Sequence, residues 1–232
     1  MSNDLKKKFL WLSLFAIAMA FVESAVVVYL RAIYYPEGFA FPLQPLTDYK
    51  IIVEVCREVA TIVMLMAVAH ISGKKFWERF AYLIFIFGIW DIFYYVWLKV
   101  LLNWPAALWD WDILFLIPFP WIGPVIAPVS ISIIMIICSV MIIRSINRGY
   151  DFKPTPLAFV IAIAATFIIL YSFMYDTGAT LRQQMPKPYG YGLLIAGDML
   201  YIVAFLISYM RRIQINAKGS RVPGATGSSD RG

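Results

Sequence analysis

The chain is short of charge. Only 15% of its 232 residues are Asp, Glu, Lys or Arg, against about 25% in a typical soluble domain. It has one histidine, His70, and two cysteines, Cys56 and Cys138. The cysteines lie inside apolar runs and form neither a CxxC pair nor a metal-ligand spacing, which excludes a disulfide framework or a thiolate site. They read as small buried hydrophobes. A single histidine argues against zinc or di-iron chemistry, which draws on several. Walker, Rossmann, HExxH, EF-hand and kinase signatures are missing. No serine stands in a GxSxG context, and no internal inverted repeat is evident. No tract is long or polar enough to form a separate soluble domain.

Apolar sequence fills the space left by these absences. The chain is 62% hydrophobic with a mean hydropathy of +0.75. About 20 residues at 1.5 Å rise cross the hydrocarbon core of a bilayer. Six runs meet that length: about Phe9–Leu30, Lys50–Ser72, Phe80–Leu102, Pro124–Ile143, Pro156–Tyr175 and Gly190–Met210. The expected fold is an all-α polytopic bundle of six transmembrane helices, one embedded domain over residues 1–215. Residues 216–232, rich in Gly and Ser, read as a disordered cytoplasmic tail.

Basic residues set the expected orientation. Lys6–Lys8, Lys74, Lys75 and Arg79, Arg144, Arg148 and Lys153, and the five from Arg211 onward make fourteen of the twenty Lys and Arg. All fourteen flank spans on one side. The positive-inside rule makes that side cytoplasmic, with both termini there, in the inner membrane of the cell. The net charge of +6 therefore marks topology and not nucleic-acid binding. Lys6–Lys8 with Ala18-Met19-Ala20 also fit a signal peptide, but the apolar run continues to Leu30, as a span requires.

One outer loop is unusual. Between Asn103 and Pro128 stand Trp104-Pro105, Trp109-Asp110-Trp111-Asp112, Pro118, Pro120, Trp121, Gly123 and Pro124. Proline removes helical donors, and Trp favours the headgroup level. The segment reads as an outer hairpin at the interface or a re-entrant cover over a cavity, with Trp109, Asp110, Trp111 and Asp112 as a candidate outer gate. The runs Trp90–Lys99 and Trp111–Pro128 resemble segments of six-span prokaryotic membrane proteins. That resemblance implies no activity.

The chemistry concentrates in acids within the spans. Glu23, Glu58, Asp91 and Asp198 each interrupt a different apolar run. A charge at the bilayer centre costs roughly 2.5–3.5 kcal/mol on insertion scales. The helical rise places Glu23 about 21 Å and Asp91 about 17 Å above the cytoplasmic ends, and Glu58 and Asp198 about 12 Å below the outer ends. Glu54 lies one turn above Glu58 on the same face, and Arg57 is i+3 from Glu54, a spacing at which the two pair.

These six residues form the candidate ligand or ion site. Glu58, Asp91, Glu23 and Asp198 supply oxygen ligands or proton acceptors, Arg57 sets their charge, and Glu54 guards the outer entrance. The leading expectation is binding or transport of a small cation, or proton-coupled movement of a small solute. A hard divalent cation suits oxygen ligands. One alternative is a membrane-embedded enzyme acting on a lipid or quinone. For it, Asp91 and Asp198 offer an aspartyl dyad, although Ile195-Ala196-Gly197-Asp198 lacks the first glycine of GxGD. Tyr94, Tyr95, Tyr191 and Tyr201 would provide aromatic surface. The third reading is an accessory subunit whose acids lock helices together. Six spans are few for a transporter, so a homo-oligomer or partner subunit is expected.

Overall fold

In the computed structural model, residues 2–39, 48–117, 119–178, 182 and 184–219 are described. The expected tail from residue 220, Pro118 of the outer loop, and Gln183 of the outer segment Arg182–Tyr191 lie outside them. Helix α1 (Asn3–Tyr34) starts where the Ser2 hydroxyl accepts the Leu5 N–H at 3.3 Å, with Asp4 in the first turn. A side-chain acceptor and an acid there satisfy free amides and complement the helix dipole. Helix α2 (Asp48–Ser72) and α3 (Phe76–Leu102) follow. Glu78 Oε2 accepts the Lys74 N–H at 2.7 Å ahead of α3, and Asn103 turns left-handed (φ 53°) to end it.

After the outer loop come α4 (Ile126–Asn147), α5 (Pro156–Met174) and α6 (Tyr191–Gly219). The Thr155 hydroxyl caps α5, with Pro156 at the first helical position, where a missing donor is harmless. Five of these six long helices, α1, α3, α4, α5 and α6, are long and apolar enough to cross a membrane. Helix α2, which carries Glu54, Arg57 and Glu58 within two turns, is not among them. The helices turn large apolar side chains such as Trp11, Tyr29, Ile71 and Phe167 outward, as contact with lipid requires.

The outer loop departs from an all-helical chain. Trp111–Phe115 (β1) and Trp121–Pro124 (β2) form an antiparallel ladder, Trp111 opposite Pro124 and Asp112 opposite Gly123, with a register shift between Ile113 and Phe115. Prolines close off helix on the far side, while aromatic and branched residues in β1 favour a pleated strand.

Helix α3 is central, packed against α1, α2 and α4; α4 reaches α6, and α5 lies along α6 and touches β2. In lipid, close backbone approach and hydrogen bonds replace the hydrophobic drive. Buried Ala16 and Ala20 on α1 and Ala81 on α3 provide small surfaces. The Trp97 indole donates to the Ile17 carbonyl at 3.0 Å, and the Ser24 hydroxyl lies 3.0 Å from the Tyr94 carbonyl. Glycine is required at Gly88: a Cβ there would lie 2.8 Å from the Ser132 carbonyl of α4. Gly197 does the same for α6, against Ile169 of α5.

Candidate functional site

The site begins at one arginine. Arg57 follows Glu54 by three residues on α2, and its Nε lies 2.8 Å from Glu54 Oε2. Its Nη1 reaches across to Glu23 Oε2 on α1. Thr61, one turn along α2, meets the other oxygen of Glu23 with its hydroxyl, which also lies 3.1 Å from the Arg57 carbonyl. Glu23, Glu54 and Glu58 are each 7% exposed. One guanidinium therefore stands among three buried carboxylates.

Glu58 turns to the hairpin. The Leu116 N–H, immediately beyond β1, lies 3.0 Å from both of its carboxylate oxygens. A buried backbone donor needs a partner, and Glu58 supplies one where the ladder ends. A second contact holds the hairpin from α1: Arg31 Nη2 lies 3.0 Å from Asp112 Oδ1. The Arg31 guanidinium sits 3.8 Å from the centre of the Trp104 ring and 4.1 Å from that of Phe39, a cation–π arrangement. Burial pushes the Asp112 carboxyl up to about 6, despite the opposing pull of Arg31.

The other candidates occupy different surroundings. Asp91 on α3 accepts the Ser132 hydroxyl of α4 at 2.8 Å. Tyr94, one turn on, lies within electrostatic reach of Arg57, Arg31, Asp112 and Asp91, so Asp91 borders the cluster. Asp198 does not join it. Its neighbours are Ser130 on α4, Tyr189 and Tyr201, and its Oδ1 is buried without a hydrogen-bond partner. Ser130 and Ser132 are two residues apart, and residues so spaced do not share a helix face. Helix α4 thus stands between Asp91 and Asp198, and the two do not form a dyad.

Of the candidate gate residues, Asp112 is 2% exposed and engaged with Arg31. Asp110 closes its own turn, accepting the Ala106 and Ala107 N–H groups at 2.7 and 3.2 Å. Trp109 projects outward and meets the Tyr191 ring edge-on, with centres 6.1 Å apart. Trp111 meets Tyr189 in the same way.

Among the described residues, no group of three or more His, Cys, Asp or Glu is placed to hold a metal ion. A hard divalent cation takes six to eight oxygens, and the acids here are turned to Arg57, the Leu116 amide, Thr61 and Ser132 instead. Arg31, Thr61 and Ser132 escape a search for acids in apolar runs. Thr61 had one available signal: it is i+4 from Arg57 on the face that carries the charges.

No protein-family model matches this chain, and neither does any curated protein or solved structure. The class rests on the molecule itself: a helical bundle with five membrane-length helices and a buried cluster of acids around one arginine.

Proposed function

We propose that this multi-pass membrane protein binds and exchanges protons at the Glu23–Glu54–Arg57–Glu58 cluster, coupled to movement of a small solute. One observation carries this reading: three buried carboxylates share a site with a single guanidinium, which pairs with Glu23 and Glu54. Arg57 compensates one negative charge. The Leu116 amide, a neutral donor, does not compensate another. Like charges sharing a buried site cannot all remain ionised without a counter-charge. A proton is the counter-charge that needs no coordination shell, and the described residues offer a metal none.

Positive-inside counting favours both termini in the cytoplasm, with the hairpin over the outer end of the cluster. A second copy or another subunit would complete the path, since six spans are few for a transporter. Asp91 borders the site, and Asp198 serves the contact of α4 with α6.

The test is proton flux into liposomes carrying an internal pH dye, under an imposed gradient. Wild-type protein is expected to exceed protein-free liposomes severalfold, and Glu58→Gln and Glu23→Gln to fall to the empty level while remaining folded. Flux equal to protein-free liposomes in the wild type would refute the transport reading. The accessory-subunit reading would then stand, because each acid of the cluster already has a partner within the chain.

A further inference from the structure

Thr61 has one hydroxyl proton and two oxygens to give it to. Its Oγ1 lies 3.1 Å from the Arg57 carbonyl and also meets Glu23 Oε1. A hydroxyl donates once and accepts up to twice. With Glu23 ionised, the Thr61 proton points to Oε1 in a charge-assisted bond. With a proton on Oε1, Glu23 becomes the donor, and Thr61 turns its own proton to the Arg57 carbonyl. Both states are fully hydrogen-bonded, and no heavy atom has to move between them.

The other acids around Arg57 have no such two-way partner on the oxygens that are held. Both oxygens of Glu58 face the Leu116 N–H, and Glu54 gives Oε2 to the Arg57 Nε–H. Those groups only donate, so a carboxylic O–H pointed at them would have no acceptor. Glu23 differs also in its second oxygen, which Arg57 already holds, leaving Oε1 as the place for the proton.

We propose that Glu23 is the carboxyl in this cluster that takes up and releases the proton, and that Thr61 is the positioning residue that satisfies it in both states. This rests on the cluster exchanging protons, as argued above. The proton arrives from hydronium, forms the Oε1–H bond and leaves water behind; release is the reverse. Arg57 and Thr61 of α2 meet Glu23, and the titratable groups around Arg57 are Glu54 and Glu58 on α2 and Tyr94 on α3.

The test is infrared difference spectroscopy of the full-length protein in lipid vesicles between neutral and acidic pH. A carboxylic C=O band is expected to grow on acidification and to disappear in Glu23→Gln. Thr61→Val should shift the band to higher frequency, because the O–H loses its acceptor. It should also raise the proton affinity severalfold, the difference between the charge-assisted bond lost by the ionised state and the ordinary bond lost by the neutral one. Thr61→Ser should restore both, which a merely structural role would not produce. A band in Thr61→Val identical to wild type overturns the proposal, and that variant does so even if Glu23→Gln fails to fold. A band that survives Glu23→Gln but vanishes in Glu58→Gln or Glu54→Gln overturns this assignment and leaves the proton-exchange reading intact. No pH-dependent carboxylic band in any of these proteins overturns both.

Discussion

Removing the charge of Asp112 should stabilise the protein at neutral pH and leave it unchanged in acid. Asp112 is 2% exposed, and its one ion pair is a single contact at 3.0 Å to Arg31. Burial lifts its carboxyl from an ordinary 3.8 to about 6. A carboxyl raised in the folded state favours folding fully below the unfolded value and loses that advantage as pH rises through the folded one. The window is therefore about pH 4 to 6. Two pH units correspond to about 3 kcal/mol. Asp112→Asn has no charge to desolvate, so its stability relative to wild type should climb by up to that amount across the window. In a chain of this size about 1 kcal/mol moves Tm by about 2–4 °C, so the two melting curves should separate by several degrees at pH 7. Arg31→Met should push the Asp112 carboxyl up further, because it removes the charge that holds it down, and so move the window to higher pH. Thermal unfolding of detergent-solubilised protein in steps from pH 4 to 7 measures both. A gap between Asp112→Asn and wild type that stays flat, or that opens in favour of wild type as pH rises, refutes the reasoning. It would mean that the pair with Arg31 outweighs the burial of the acid.

Arg57→Met should be the most damaging single change in the cluster, costing about 3–5 kcal/mol because it leaves buried carboxylates without their cation; chemical unfolding in detergent checks it, and a loss under 1 kcal/mol would contradict the geometry. Gly88→Ala should cost about 1–3 kcal/mol by overpacking α3 against α4, since the new Cβ would lie 2.8 Å from the Ser132 carbonyl; a melting temperature equal to wild type would show that the helices are not that close. Glu58→Ala should release the Leu116 amide from its only acceptors among the described residues, so peptides covering β1 should exchange deuterium at least tenfold faster; unchanged protection would separate the hairpin from α2.

The legible part of this chain was what a one-dimensional ruler reads. Helices follow from the length of apolar runs, and the Arg57–Glu54 pair follows from a three-residue spacing within one helix. Depth along a helix also comes from counting, and Glu23 and Glu58 do end near the same arginine. Rotation about the helix axis does not come from counting. Counting puts Asp91 and Asp198 at a similar depth, yet different faces of α4 receive them, at Ser132 and Ser130. The strands between Trp111 and Pro124 are illegible for another reason: the five-residue apolar run Ile113–Ile117, between Asp112 and Pro118, has no period long enough to separate strand from irregular loop. Arg31 was hidden by its place in the last turn of α1, where a basic residue has an ordinary explanation in the helix dipole. Only the fold brings Asp112 to it from 81 residues away.

One small ladder touches four parts of the molecule. Glu58 grips it from α2 and Arg31 from α1, while Trp121 stacks on Phe173 of α5 and Thr177 donates to the Pro120 carbonyl at 2.9 Å. Helices α1, α2 and α5 thereby share a clasp at one end of the bundle. Opposite it, exposed Lys75 and Asp151 meet in a solvent-screened pair at 3.0 Å, a far weaker tie. Rocking of one helix group against the other would pivot at the clasp and be widest at that loosely fastened end.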